Sequence, residues 1–274
     1  MSTSEVFPVF DEYFSDLNQF ILGLVKVYEA GEMKSWEDLE EKVKGYFTPE
    51  RMNQMESIVP GWQKMASYSG GITLVHVMGV FLGSFMMAEF QSLNPEQKQL
   101  AKWIILFHDL AKFHIKGTRD TKHAFRSAVS AARQLPHFGF AITTEYDHLI
   151  ASWSELTDSA SKFSADFPEP IQDNNKLPEI LSGIERMLGE ETPSALIVKC
   201  VLLHMSVNVV NDWPQAAPLT EEEINRYVTS HLAPLLKVMM LADNEGWVMF
   251  YQEREQQRNE TLEVFQRIEK IISS

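Results

Sequence analysis

Apolar residues recur at three- and four-residue steps along almost the whole chain, which restricts it to a helical fold. From Phe10 to Tyr28 this spacing puts the apolar side chains on one face of a helix. Similar segments follow breaks at Gly31, at Thr48-Pro49 and at Gly70-Gly71. Because no alternating pattern of useful length competes with them, the sequence predicts an all-α protein.

The helix boundaries can be estimated from caps, prolines and glycines. A stretch at 167–178 that is rich in proline, asparagine and aspartate predicts a loop. Asp243, taken alone, is best explained as the cap of a helix that begins at Asn244. After Gly70-Gly71 the predicted helices cover residues 72–90, 95–113, 121–135, 144–163, 178–188, 193–210 and 220–241, and a charged final helix runs to 272.

The segment from Ile72 to Ala88 is apolar enough to require comparison with a membrane span. Its seventeen residues include only three polar ones, Thr73, His76 and Ser84. It is short for a spanning helix, it contains a histidine, and no lysine or arginine flanks it closely. The sequence therefore favours a buried core helix over a membrane span.

Charge and cysteine content exclude several classes of protein. The chain has 38 acidic and 24 basic side chains and a formal net charge of -14, which disfavours broad binding to nucleic acid or anionic membranes. Its single cysteine, Cys200, excludes an internal disulfide and a cysteine-based zinc site, and it fits a reducing compartment. The first residues lack the pattern of a signal peptide, so we expect a cytoplasmic protein.

Histidines and aspartates on apolar segments are the most informative feature for function. His76, His108-Asp109, His204 and Asp243 each interrupt or follow an apolar run, so each is expected to point at least partly to the interior. A buried ionised carboxylate needs a cation or several donors, and imidazole nitrogens with carboxylate oxygens suit a divalent metal. A lone histidine such as His76 is more often a satisfied core residue, but adjacent His108 and Asp109 can both reach an ion beside their helix.

The order of these residues resembles the H…HD…D motif of the HD superfamily of metal-dependent phosphohydrolases. The resemblance rests on His76, on His108-Asp109 in Leu-Phe-His-Asp-Leu-Ala-Lys, and on Asp243 in Leu-Ala-Asp-Asn. It covers about residues 71–250. It implies that these four side chains bind a first metal ion.

A further part of the sequence is similar to the HD domains appended to tRNA nucleotidyltransferases. It consists of Asp120-Thr-Lys-His-Ala-Phe-Arg and, much later, Leu-Leu-His204-Met. In binuclear members of the superfamily, histidines in these two places bind a second metal ion, so the resemblance implies that His123 and His204 could do so here, with Asp109 bridging the two ions. The implied cofactor is one or two divalent ions per chain, of Mn, Mg, Fe, Co, Ni or Zn.

The resemblance also implies a domain organisation. An HD-domain helical bundle would occupy residues 71–274, after an N-terminal helical extension at 1–70, and would contain a helical and loop insertion at about 141–192. The chain departs from the family pattern at Ala111, where glycine is usual, and at Ala124, where glutamate is frequent.

Basic side chains cluster next to the predicted ligands. Residues 112–133 contain six basic side chains and one acidic one, a local balance of +5 in a chain of -14. Such a cluster beside a metal centre would attract an anionic substrate; the alternative is a solvated basic helix face. We expect Asp109 and Lys112 to be catalytic, with Lys112 stabilising developing negative charge. The expected substrate-binding residues are Lys116, Arg119, Lys122 and Arg126.

The expected function is hydrolysis of a phosphomonoester or phosphodiester, nucleotide-like, by metal-activated water. Its partner would be a small phosphorylated or nucleotide-like substrate, with no membrane and no extensive nucleic acid bound, and the oligomeric state stays open. Two alternatives remain. One is a di-iron oxygenase of the HD superfamily, since the same six-ligand set resembles that of myo-inositol oxygenase. The other is a non-catalytic HD domain that acts in signalling or as a scaffold.

Aromatic residues near the predicted site offer a possible contact for a nucleobase. Trp213, Trp247, Phe250 and Tyr251 could stack on a base. Aromatic residues at helical spacing are more often part of the core, which is the simpler interpretation.

Overall fold

The computed structural model describes residues 7–112, 120, 122–160, 174–206 and 219–274. Within these ranges the chain forms α-helices and short 3-10 turns and contains no strand, which confirms the predicted all-α fold. The α-helices of the described residues are α1 (Phe10–Tyr13), α2 (Ser15–Glu29), α3 (Trp36–Tyr46), α4 (Pro49–Ile58), α5 (Trp62–Ser67), α6 (Ile72–Met86), α7 (Ala88–Ser92), α8 (Pro95–His108), α9 (His123–Gln134), α10 (Tyr146–Ser159), α11 (Leu177–Leu188), α12 (Pro193–Leu203), α13 (Glu221–Tyr227), α14 (Leu232–Val248) and α15 (Arg254–Ile272).

Five of the helices in the described residues, α3, α4, α8, α12 and α13, begin where a side chain accepts a hydrogen bond from a free backbone N–H group. Ser35 accepts a hydrogen bond from the backbone N–H of Asp38 at the start of α3, and Thr220 does the same for Glu223 at the start of α13. Both are capping boxes, because the acidic side chain in turn accepts from the backbone N–H of the cap residue. In α4, α8 and α12 a proline directly follows the cap residue, where its missing N–H costs no intrahelical bond.

Some helix ends differ from the predicted ones at places that matter for the site. The predicted helix 72–90 divides at Met87, whose extended backbone separates α6 from α7. The predicted helix 95–113 ends at His108, because Asp109 has left the helical backbone angles. His108 and Asp109 therefore lie where the chain turns out of α8.

The prediction of a helix over 220–241 followed by a cap at Asp243 is wrong. The chain breaks after Tyr227, and Thr229 accepts a hydrogen bond of 3.2 Å from the backbone N–H of Leu232, which begins α14. α14 then continues to Val248 without interruption. Asp243 consequently lies inside a helix, where its carboxylate contacts His76.

α6 is a central helix of the core. Every residue from Thr73 to Phe85 is buried, as the sequence favours for this apolar segment. Among the described residues, none of the helices combines the length and the apolar content needed to cross a bilayer.

Glycines let α6 and α14 cross at very close range. A Cβ atom added at Gly79 would lie 3.1 Å from the carbonyl oxygen of Gly246, and one added at Gly246 would lie 2.5 Å from Cγ2 of Val80. Real Cβ atoms essentially never approach another atom to 2.5 Å and rarely to 3.1 Å, so the crossing depends on the absence of a side chain at Gly246 and is favoured by its absence at Gly79. It brings His76 of α6 next to Asp243 of α14.

The N-terminal helices α1–α5 share a hydrophobic core with the rest of the chain. The Trp103 indole of α8 packs edge-on against Phe10, with ring centroids 5.5 Å apart, and donates from Nε1 to the carbonyl of Pro8 at 3.0 Å. Lys102 forms an ion pair of 2.6 Å with Asp11. A division of the chain at residue 70 stays a prediction.

The predicted insertion at 141–192 contains α10 and α11, which pack on α9 and α12. The Tyr146 hydroxyl of α10 donates to the carbonyl of Ala132 in α9 at 2.9 Å. The Trp153 indole of α10 donates to the carbonyl of Ile180 in α11 at 2.9 Å. That this segment is an insertion into a smaller domain stays a prediction.

Candidate metal centre

The six predicted metal ligands meet at one place in the fold, although they come from five helices. Two lie inside helices, His76 in α6 and Asp243 in α14. Four lie at helix ends, where the chain can turn a side chain inward: His108 and Asp109 (α8), His123 (α9) and His204 (α12). All are buried except Asp243, whose side chain is 21% exposed.

Asp109 lies at the middle of this cluster, and its two carboxylate oxygens face different sides. Oδ2 lies 3.5 Å from Nε2 of His76 and 3.7 Å from Nε2 of His108. Oδ1 lies 3.0 Å from Nε2 of His123. One carboxylate can therefore contact two separate sets of imidazoles.

The ligand atoms divide into two groups, each with members within 4.8 Å of one another. The first triad is His76, His108 and Asp243; the second triad is Asp109, His123 and His204. In the first triad, Oδ1 of Asp243 lies 2.9 Å from Nε2 of His76 and 3.7 Å from Nε2 of His108. Each triad has the size and the donor types of a site for one metal ion.

Three of the four imidazoles are fixed by a backbone carbonyl three residues earlier. The pairs are His108 Nδ1 with Ile105 O at 2.7 Å, His123 Nδ1 with Asp120 O at 2.5 Å, and His204 Nδ1 with Val201 O at 2.6 Å. A carbonyl oxygen only accepts, so Nδ1 carries the hydrogen and the lone pair of the neutral ring is on Nε2, which faces the centre. Ile105 and Val201 lie in the last turns of α8 and α12, where carbonyls have no partner within the helix.

Several atoms at the centre are acceptors that face other acceptors. Nε2 of His123 lies 3.2 Å from Nε2 of His204 and 3.0 Å from Oδ1 of Asp109. Within the described residues, Oδ1 of Asp109 and Nε2 of His108 are buried and have no hydrogen-bond partner. Buried acceptors without donors are rare and costly. A divalent cation among them would satisfy these atoms, and a set of neutral nitrogens and carboxylate oxygens suits a borderline metal.

The pKa shifts favour the protonation states that metal binding requires. Burial lowers the pKa of His204 to about 3. Burial also lowers the pKa of His76 and of His123, although the nearby carboxylates act in the opposite direction. Burial alone would raise the pKa of Asp109 and Asp243, but the Lys112 ammonium and the neighbouring imidazoles hold the pKa of Asp109 below its ordinary range, and the hydrogen bond with His76 and the nearby imidazoles do the same for Asp243. These shifts favour the neutral form of His76, His123 and His204 and the ionised form of both carboxylates.

Lys112 lies at the edge of the cluster. Its Nζ donates to Oδ2 of Asp109 at 2.8 Å and lies 5.4 Å from the ring centroid of Trp247. The side chain is 16% exposed, so its ammonium group is accessible from the side of the solvent. Lys112, the basic residue that the sequence predicts to be catalytic, therefore contacts Asp109, a predicted metal ligand.

Arg126 and Lys122, both predicted to bind substrate, lie in contact with Asp120. Arg126 forms an ion pair with Asp120 and donates from Nε to the carbonyl of Ala111 at 3.3 Å, and the N–H of Ala111 donates to Ser127 at 3.1 Å. These bonds tie the end of α8 to α9. Lys122 is buried, and burial lowers its pKa to about 8, with Arg126 acting in the same direction and Asp120 in the opposite one.

The substrate contacts predicted for these basic residues stay predictions. Lys116 and Arg119, the other two predicted substrate-binding residues, lie outside the described residues, as does Trp213. Of the other aromatic residues considered for base stacking, Trp247 is already stacked against protein rings, Phe250 lies 5.9 Å from the Tyr28 ring, and Tyr251 is 56% exposed.

Two residues with clear roles around the centre were not assigned to it from the sequence. Asp120 orients His123 through its carbonyl and binds Arg126 through its carboxylate. Trp247 stacks on His76 with ring centroids 4.1 Å apart. Spacing could have indicated Trp247, because a residue four positions after Asp243 lies on the same face of a helix.

Comparison of the chain with known proteins found no match. No protein-family model matches the chain. No curated protein matches it, and no solved structure matches it. What the centre can bind is therefore inferred from its donor atoms, their distances and their burial.

Proposed function

We propose that this protein is a metal-dependent phosphohydrolase of the HD type, which cleaves a phosphomonoester or phosphodiester of a nucleotide-like substrate. One observation carries the proposal: four imidazoles and two carboxylates converge on Asp109 with acceptor atoms facing one another, and the ammonium group of Lys112 lies beside them. The order of the six ligands along the chain is the order in the HD superfamily, which supports the same assignment.

Each triad would hold one divalent ion. The first ion would be held by His76, His108 and Asp243 together with Oδ2 of Asp109, and the second by His123 and His204 together with Oδ1 of Asp109. The separate directions of the two Asp109 oxygens support a shared carboxylate. Manganese, magnesium, iron, cobalt, nickel and zinc are all candidates for these nitrogen and oxygen donors.

The reaction proposed here needs a nucleophile and a stabilised phosphoryl group. A divalent ion bound in the centre supplies both, by lowering the pKa of its water towards 7 and by offsetting charge on the phosphoryl oxygens. Asp109, ionised at pH 7, accepts a hydrogen bond from the attacking water and so orients it. Lys112 donates to a phosphoryl oxygen as negative charge develops there.

Lys112 and the basic residues that follow it favour phosphate as the substrate over the oxygen chemistry of the alternative class. A di-iron oxygenase would use the same six ligands, so the local charge rather than the ligand set distinguishes the two classes. A non-catalytic domain would need neither a metal ion nor the ammonium group of Lys112 at this place. The local balance of +5 over 112–133, in a chain of -14, supports an anionic ligand at this side.

The experiment is a substrate panel. Metal-free protein is supplied separately with Mn, Mg, Co, Ni or Fe and assayed with phosphomonoesters, phosphodiesters and nucleotides, and bound metal is measured in parallel. We expect turnover with at least one metal and one nucleotide-like ester. Turnover of none of them by protein that binds metal would contradict the proposal, and so would two bound irons with consumption of oxygen.

Lys112→Met separates catalysis from metal binding. We expect kcat for the best ester to fall roughly a hundredfold, because one donor to the developing charge is lost, while the bound metal content stays the same. The exposed Lys34 is the matched position: Lys34→Met removes a lysine far from the centre and should leave both quantities unchanged. An unaltered kcat in Lys112→Met would remove Lys112 from the mechanism.

A further inference from the structure

His76 differs from the other three histidines of the centre in how its ring is held. The other rings each donate from Nδ1 to a carbonyl three residues earlier. Nδ1 of His76 is buried and has no hydrogen-bond partner within the described residues. Apart from the contact of its Nε2 with Asp243, the orientation of this ring therefore depends on packing.

Two neighbours on α14 supply that packing. The Trp247 indole stacks on the His76 ring with centroids 4.1 Å apart and an angle of 16° between the planes. The backbone of Gly246 lies against the same ring: a Cβ atom at Gly246 would be 2.9 Å from Nδ1 of His76. Because Trp247 follows Asp243 by four residues, one face of α14 presents both a carboxylate and an aromatic ring to His76.

The N-terminal helices support this arrangement from outside. Trp36, at the start of α3, stacks against Trp247 with ring centroids 5.8 Å apart and an interplanar angle of 9°. Trp247 is only partly buried, so Trp36 covers part of the surface that solvent would otherwise reach. Stacked aromatic rings stabilise one another beyond their buried area.

We propose that Trp247 is a positioning residue, which holds His76 in the orientation for metal binding, and that Trp36 secures Trp247. This inference rests on the proposed metal centre. It makes the N-terminal helices part of that centre, although they supply none of its six ligands.

The test is a titration of metal-free full-length protein with Co2+, in which visible absorption reports both affinity and ligand geometry. We expect Trp247→Leu to weaken Co2+ binding roughly 10- to 100-fold, as for other residues that orient metal ligands, and to change the absorption spectrum. Trp247→Phe keeps a ring on His76 and should stay close to the wild type. Trp36→Leu should weaken binding by a smaller factor.

A matched control tests whether any broken aromatic pair has this effect. Phe20 of α2 is also partly buried and stacks on Tyr46 at 3.9 Å with an angle of 9°. Phe20→Leu should leave Co2+ binding unchanged. If Trp247→Leu weakened Co2+ binding only because a broken aromatic pair destabilises the fold, Phe20→Leu would weaken it as well. If Trp247 positions His76, Phe20→Leu should bind Co2+ like the wild type.

A double-mutant cycle with His76→Gln locates the effect. If Trp247 acts through His76, Trp247→Leu should have no further effect on Co2+ affinity once His76 is replaced. A wild-type spectrum and affinity in folded Trp247→Leu would overturn the proposal. If circular dichroism shows that this variant does not fold, the same result in Trp36→Leu would overturn it instead.

The failure of this inference can be distinguished from failure of the proposed function. Wild-type protein that binds no metal would remove both. Wild-type protein that binds Co2+ and hydrolyses an ester, together with unaffected Trp247 and Trp36 variants, would remove the positioning role alone.

Discussion

The two triads of the centre are built by different means. In the second triad, His123 and His204 are fixed by carbonyls of their own chain segments, only three residues away. In the first triad, the contact between His76 and Asp243 joins residues 167 positions apart and depends on the glycine crossing of α6 and α14. A local carbonyl orients both imidazoles of the second triad, whereas in the first triad it orients only His108, and His76 depends on long-range packing.

This difference predicts how each triad responds to mutation. A triad held by backbone carbonyls should tolerate changes in the surrounding core, because the carbonyls remain whatever the side chains are. A triad held by a close helix crossing should be sensitive to any added volume at that crossing. Asp109 belongs to both, since its two oxygens face the two groups.

Replacement of Asp109 should have the largest effect, because it removes the group that both triads share. We expect Asp109→Asn to lose bound metal and to lower ester hydrolysis by roughly a thousandfold or more, which corresponds to several kcal/mol of transition-state stabilisation. Metal analysis and kcat/KM measure the two effects. The exposed Asp147 of α10 is the matched position: Asp147→Asn should change neither.

A methyl group at the helix crossing should damage the first triad more than the second. In Gly246→Ala the added Cβ would lie 2.5 Å from Val80 Cγ2, so we expect a loss of about 1–3 kcal/mol in the free energy of unfolding. We also expect about half of the bound metal to be lost. Urea denaturation and metal analysis check both results.

Gly23 of α2 is the control for that substitution. A Cβ atom there meets nothing within 4 Å in the structure, so Gly23→Ala should be neutral or stabilising by up to about 1 kcal/mol, as alanine is the better helix former. Equal stabilities for the Gly246 and Gly23 variants would contradict the role of the crossing.

The pH dependence of metal binding should be the smallest effect. Protons compete with a metal only where the free imidazole is protonated, so lowering an imidazole pKa from its ordinary value of 6.5 moves this competition to lower pH. Three ordinary imidazoles would weaken binding roughly 50-fold between pH 7.5 and 6.0. With the pKa of His204 at about 3 and those of His76 and His123 lowered, we expect a clearly smaller loss of affinity than this over the same pH range.

Calorimetric titration with Co2+ at these two pH values measures that dependence. His231 lies outside the centre, pairs with Glu191 and is 70% exposed. The control variant His231→Gln therefore removes one histidine but keeps all the imidazoles of the centre. A steep loss of affinity near pH 6.5 in both proteins would show that the imidazoles of the centre titrate as ordinary ones.

The sequence was sufficient for the fold class, and the six side chains that it predicts as metal ligands lie close together in the structure. Helical periodicity depends only on the local order of residues, and His76, His108, Asp109 and Asp243 were recognisable because polar groups on apolar segments need a buried partner. The roles of Lys116 and Arg119, the domain division at residue 70 and the catalytic activity stay predictions.

What the sequence could not give depends on contacts between distant segments. Asp243-Asn244 followed by Gly246 has the local pattern of a helix boundary. α14 nevertheless continues through these residues, and Gly246 is the position at which α6 crosses it. The stack of Trp36, Trp247 and His76 joins α3, α14 and α6, and no periodicity within one helix specifies such a contact. Tertiary packing overrode local preference at both places.

The carbonyls of Ile105 and Val201 have a consequence for the evolution of such a centre. A ligand oriented by a second side chain can be misaligned by one substitution, whereas every amino acid at positions 105 and 201 would present the same oxygen. Substitution of the side chain at position 105 or 201 should therefore leave the ring orientation of His108 or His204 unchanged. Only a shift of the helix terminus itself, by insertion, deletion or a proline, would release these two rings.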